Sequence, residues 1–167
     1  MTDALRGYPS GMAQTERLIP ASPDRLFAVL SDPASYAHWV VGSDTIRAAD
    51  RGWPAVGAKI HHRVGWGPLK LDDTTEVLAA DAPRHLRLKA RARPLGTAHV
   101  DLRLEAQGGS TLVTMTEDAG DPLTRLAFNP LTHHLVHRRN VESLRRLEEL
   151  ALGRGPATPD PPRSDGD

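Results

Sequence analysis

The stretch ASPDRLFAVLSDPASYAHWV, residues 21–40, holds two helix starts in twenty residues and closes on a tryptophan. Ser22 is placed to cap a helix whose first turn holds Pro23 and Asp24, and Leu26, Phe27 and Leu30 then share one face. Asp32 followed by Pro33 repeats the device, so a second short helix runs into Tyr36 and Trp39 at an angle to the first. A bent pair of short helices between strands is expected.

Outward from that pair the period changes from helical to alternating. One strand is expected near Thr15 to Ile19 before the helices and another near Asp44 to Ala49 after them. Residues 58–66 set Ala58, Ile60, His62, Val64 and Trp66 against Lys59, His61 and Arg63, and GWGP reads as a turn. Leu69, Leu71, Asp73, Thr75, Val77 and Ala79 share a face of the next strand, which breaks at Pro83. Residues 85–92 alternate best, with His85, Arg87, Lys89 and Arg91 against Leu86, Leu88, Ala90 and Ala92. Ala98, Val100, Leu102 and Leu104 follow the RPLGT turn, and a last strand runs from Thr111 to about Glu117. The strands form a meander.

A long helix is expected over residues 122–152, interrupted near Asn129 and Pro130. Leu135, Val141, Leu144, Leu147 and Ala151 form its apolar stripe, and Gly153 is its stop. An antiparallel sheet with one apolar face and one long amphipathic helix buries both by curling around the helix. The predicted class is α+β: a curved antiparallel sheet of about six or seven strands around a C-terminal helix, with two short helices between strands 1 and 2.

Composition narrows the partners. Formal net charge is zero, which argues against nucleic acid and against an anionic membrane surface. The basic stripe Arg87, Lys89, Arg91 and Arg93 falls on the outer side of its strand, where a register setting Arg91 against Asp101 and Arg87 against Glu105 would neutralise it. There is no cysteine, so disulfides, thiolate metal sites and a cysteine nucleophile are excluded. No segment approaches the ~18 apolar residues of a membrane span, and no signal peptide is visible, so a cytoplasmic protein without stable membrane insertion is expected. Residues 1–12 read as a loose segment, 13–153 as a single ligand-binding domain, and 154–167 as a disordered Pro-rich tail.

Ala21, Pro23, Leu26 and Phe27, then Asp32, Pro33 and Trp39, resemble the START-related SRPBCC superfamily of polyketide cyclase/dehydrase-like proteins, whose fold is the helix-grip. Val56-Gly57 before a strand, Gly67-Pro68 at the next turn and Arg139-Asn140 running into Leu144 and Leu147 extend the likeness over roughly residues 14–152. The resemblance implies a pocket between sheet and long helix for a hydrophobic small molecule: a lipid, polyketide or other aromatic or isoprenoid compound. It carries no shared catalytic residue and implies no cofactor and no metal. A polyketide cyclase or dehydratase, and an interaction protein of the chaperone-activator type, are the alternatives, as monomer or homodimer.

Small residues on the inner face, Ala58, Ala90, Ala92 and Ala98, leave room for such a ligand, and aromatic content is only 4%. Val64, Leu71, Thr75, Leu88, Ala90, Val100 and Met115 are the expected wall. His62 lies nearly opposite Asp73, and a histidine oriented by a carboxylate is a candidate general base for enolisation, aldol closure or dehydration. The same residues would also suit a bulge turning 72–76 outward, or a solvated pair at the cavity mouth. On the helix, His133, His134, His137 and Asn140 are candidates for polar pocket lining. His133 and His137 have a two-ligand metal spacing, but the Glu of an HExxH motif is missing. Trp39 sits at the expected rim, Trp66 on a turn that could act as a lid, and Trp53 reads as packing.

Overall fold

The computed structural model describes residues 13–66, 69–91, 96–120 and 130–154. Seven antiparallel strands form one sheet: β1 (Ala13–Ile19), β2 (Ser43–Ala49), β3 (Lys59–Trp66), β4 (Leu69–Asp81), β5 (His85–Arg91), β6 (Thr97–Gln107) and β7 (Ser110–Ala119), in the order β1-β7-β6-β5-β4-β3-β2. Between the two edge strands in sequence lie α1 (Pro23–Ser31), a 3-10 turn (Pro33–Ser35) and α2 (Tyr36–Trp39). The long C-terminal helix, α3, covers Pro130–Ala151, and it packs on β1, α1 and α2. This is the helix-grip arrangement. The start expected for the long helix, residues 122–129, lies outside the described residues, as does the GP of the β3–β4 turn.

Local chemistry sets the breaks. Ser22 Oγ accepts from the Arg25 amide at 3.3 Å and Asp32 Oδ1 from the Ala34 amide at 3.0 Å, each with a proline in the first turn. The β6–β7 hairpin turns on Gly108 and Gly109, with φ of 55° and 87°, a pair of left-handed residues that matches the twist of the strands they join. At the end of α3, Gly153 takes φ 69° and the Arg154 amide returns to the Glu149 carbonyl at 2.7 Å, covering a carbonyl the helix leaves open.

Ile19, Leu26, Ile60, Leu86, Leu102, Val113, Leu144 and Leu147 are fully or almost fully buried and form the core between sheet, α1 and α3. Each such aliphatic contributes roughly 1.5–3 kcal/mol on leaving water. Trp53 is packing: its Nε1 donates to the Leu30 carbonyl at 3.1 Å and its ring meets Tyr36 edge-on at 6.4 Å.

Three details depart from the sequence reading. The inward stripe of α3 is Asn140, Ser143, Leu144, Leu147 and Ala151, whereas Leu135 and Val141 are 58% and 42% exposed. A polar residue holds the inward position that alternation of apolar residues alone would have assigned to Val141. In β4 a register shift between Val77 and Ala79 sets Ala79 opposite the outward Arg87 and Ala80 opposite the buried Leu86, so the inward parity changes after Val77. Arg87 pairs with Asp101 and Arg91 with Thr97, four residues from the expected β5–β6 register; a shift by an even number keeps every face and changes only the partners.

Candidate ligand-binding site

Strand register assembles the inner face in rows. Thr75 of β4 pairs with Ala90 of β5, Ala90 with Ala98 of β6, and Ala98 with Ala119 of β7, so three alanines in succession extend from one threonine. The adjoining row runs Val77, Leu88, Val100, Glu117. Beside Thr75, His62 of β3 stands directly opposite Asp73, and Val64 opposite Leu71. Val64, Ala90 and Val100 are half-buried and Leu71 is 44% exposed, whereas Leu88 and Met115 are buried. Solvent therefore reaches the inner face near the end of the sheet that holds Val64 and Leu71.

Polar groups gather further along the same face. His62 and Asp73 are each 2% exposed, and Thr75 is fully enclosed. No bulge turns residues 72–76 outward, and the pair is buried rather than solvated at a mouth. Thr75 Oγ1 lies 3.0 Å from His62 Nε2 and 2.8 Å from Tyr36 Oη, which makes it the middle of a three-residue relay between α2, β4 and β3. Asp73 Oδ1 accepts from the Thr74 amide at 3.0 Å. His62 Nδ1 is buried without a hydrogen-bond partner. With Nε2 protonated and donating to Thr75, Nδ1 keeps an unprotonated lone pair.

Electrostatics follow from burial. Desolvation lowers the His62 pKa below the ordinary 6.5, opposed by Asp73 and by the Arg63 backbone, so a neutral imidazole is favoured. Desolvation also pushes the Tyr36 phenol up to about 12, with Thr75 and Arg139 acting downward and Glu117 and Asp73 upward. One phenol thus feels carboxylates from both β4 and β7.

The second polar group crosses from sheet to helix. Glu117, 3% exposed on β7, accepts from Asn140 Nδ2 at 3.1 Å and pairs with the Arg139 guanidinium. Nearby, Thr15 Oγ1 of β1 lies 3.3 Å from His137 Nδ1, although His137 as a whole is exposed. His134 is exposed, and the side chains of His133 and Trp66 lie outside the described residues. Trp39 is 3% exposed and packs edge-on against Tyr36 at 5.7 Å. Among the described residues no group of three or more His, Asp or Glu side chains could hold a metal, and no helix is long and apolar enough to cross a membrane.

Tyr36, Glu117 and Arg139 were not singled out as site residues from sequence. Glu117 had a visible signal: it continues the spacing Thr111, Val113, Met115 onto the inner face. Tyr36 stands three residues before Trp39, one turn away on the same side of the helix pair.

With this geometry in place, residues 12–151 match the family model described as polyketide cyclase/dehydrase and lipid transport. The chain belongs to that family. It is an SRPBCC helix-grip protein, and solved structures share its architecture. A Rhodobacter sphaeroides protein aligns with a TM-score of 0.68 at 22% identity, over 86% of this chain and 93% of its own. A Mesorhizobium loti protein aligns with a TM-score of 0.64 at 22% identity, over 86% and 97%. DynU16, from the dynemicin biosynthetic locus, aligns at 0.62 and 17% identity over 87% of this chain and 49% of its own. No curated protein matches the sequence significantly. At these identities the solved structures establish the fold alone.

Proposed function

We propose that this family member binds a hydrophobic small molecule, a lipid, polyketide or other aromatic or isoprenoid compound, between the sheet and α3. The observation that carries the reading is the row Thr75, Ala90, Ala98 and Ala119 flanked by buried polar side chains. Alanines leave volume where leucines would close a core, and buried polar groups at the edge of that volume orient a ligand rather than add stability. Val64, Leu71, Leu88, Val100 and Met115 supply apolar wall, with Thr75, Asn140 and His137 as polar lining. Thermal unfolding of the full chain against panels of lipids, sterols, quinones and aromatic polyketides tests this. A dose-dependent rise in Tm with one class supports the reading, because a ligand that binds only the folded state stabilises it. No shift with any class contradicts it.

The His62–Asp73 pair favours a second reading, a cyclase or dehydratase. A neutral imidazole at His62 would take a proton from the carbon between two carbonyls. The enolate carbon would add to a ketone carbon of the same molecule, and the imidazolium, held near Asp73, would return the proton to the new alkoxide. Dehydration would then remove a proton and the hydroxyl as water. Under this reading His62→Gln and Asp73→Asn abolish turnover of a cyclisable polyketone while affinity stays within about tenfold, or ~1.4 kcal/mol. Turnover unchanged by both substitutions removes the assignment.

A further inference from the structure

We propose that the outer face of the sheet holds a second site, a basic concavity across β3, β4 and β5 that takes the phosphate or diphosphate group of a small soluble molecule. It lies on the opposite side of the sheet from the proposed cavity and does not depend on it.

Lys59 and His61 of β3, Thr74 and Glu76 of β4, and Lys89 and Arg91 of β5 line this concavity, whose volume is about 160 Å³. Their chain neighbours Ile60, His62, Thr75, Val77 and Leu88 are buried on the inner face, so the alternation of a strand puts these six on the outer one. Five of them are partly buried, and Arg91 is exposed.

Register leaves the charge unbalanced. Lys89 stands opposite His99 and Arg91 opposite Thr97, so neither receives a carboxylate from β6. Asp101 faces Arg87 instead, and it is held by His85 and Arg103. Among the described residues neither Lys89 nor Arg91 makes an ion pair. Glu76 is the one carboxylate in the lining; in register it stands between Lys59 and Lys89, and it reaches Lys59 only loosely, at 3.9 Å. The bordering carboxylates are engaged: Asp72 by Arg47 and Arg63, Asp118 by His99, and Asp50 by the Lys59 amide. Three cations therefore share one carboxylate.

The spacing suits a phosphate. Lys59 and Lys89 stand two strands apart, roughly 10 Å between backbones, with Arg91 beyond Lys89 on the same strand. A tetrahedral phosphate, or two of them joined, presents oxygens to several sides at once, whereas a planar carboxylate presents two in one direction. The lysines supply mobile point charges and the arginine a fork of donors. Thr74 adds a hydroxyl, and His61 a ring N–H in either neutral tautomer. A concavity lined mainly by one sign of charge concentrates counter-ions of the other.

The test is a nitrogen–proton NMR titration of the full chain with sodium pyrophosphate at constant low ionic strength, with sodium acetate as control. Saturable shifts centred on residues 59, 61, 74, 76, 89 and 91 are expected, with pyrophosphate at least about tenfold tighter than acetate. No saturable shift at these residues, or acetate binding as tightly, overturns the proposal. Lys89→Gln and Arg91→Gln are each expected to weaken pyrophosphate several-fold. Glu76→Gln is expected to tighten it, a gain that loss of a structural contact would not produce. An affinity that none of the three substitutions moves overturns the assignment to these residues, and if one variant does not fold the other two decide. In sedimentation with phosphatidylglycerol vesicles the protein is expected to stay in the supernatant; co-sedimentation that Lys89→Gln abolishes would assign the patch to a membrane surface and overturn the soluble ligand.

Discussion

His62 of β3 and Asp73 of β4 stand directly opposite one another on the inner face, each 2% exposed. A cross-strand pair on one face brings side chains within contact range without help from a loop, so its geometry is as rigid as the sheet. Thr75, two residues along β4, then ties His62 to Tyr36 of α2.

That tie predicts a stability effect. Thr75→Val keeps the shape and removes the hydroxyl shared by two buried partners. Leaving a buried polar group unpaired costs about 1–3 kcal/mol. Urea denaturation should show a loss of that order, and the loss should be smaller in a Tyr36→Phe background, where one partner is already gone. Strict additivity of the two substitutions would contradict the relay.

His62 sets a pH limit on stability. Its folded pKa lies below the ordinary 6.5, chiefly from desolvation, so the unfolded chain binds the proton more readily. This group's contribution is complete above about pH 6.5 and falls as the pH drops from there toward the lowered folded value. Denaturation at a series of pH values should show a shallower acid-side decline for His62→Gln than for the wild type. Identical declines would place the imidazole in solvent-like surroundings.

Tyr36 is expected to resist ionisation. Its phenol pKa is raised from 10.0 to about 12, so the folded state holds the proton longer than the unfolded one. Stability from this group is full below pH 10.0 and lost as the pH rises toward about 12. Ultraviolet spectrophotometric titration should show a late phase that Tyr36→Phe removes. A late phase that survives the substitution would contradict its burial.

The two faces of α3 make opposite predictions. Leu147→Ala, at a fully buried position, should cost about 2–5 kcal/mol. Leu135→Ser, at a position 58% exposed, should change stability by no more than about 0.5 kcal/mol. Equal losses would reverse the assignment of the helix faces.

These particulars also mark what the sequence makes legible. Residues 85–91 alternate so regularly that strand and buried face follow from parity, and Ser22-Pro23 and Asp32-Pro33 mark the short helices because capping is local. Register is different: parity is unchanged by an even slip, so Arg87 against Asp101 could not be told from Arg91 against Asp101. The α3 face was legible in Leu144, Leu147 and Ala151 but not in Leu135 and Val141, since the inward place beside Val141 belongs to Asn140, which is stabilised there by a partner on β7. His62 and Asp73 were legible as neighbours because one turn joins their strands. Glu117 with Arg139 was not, since strand and helix are brought together only by tertiary folding.

Native mass spectrometry of the protein purified from its own host, with extraction and identification of what co-purifies, tests the central claim most directly. The account predicts one apolar compound per chain. Clean apo protein whose Tm stays unmoved by lipids, sterols, quinones and aromatic polyketides would contradict the ligand site and leave the fold as an interaction module.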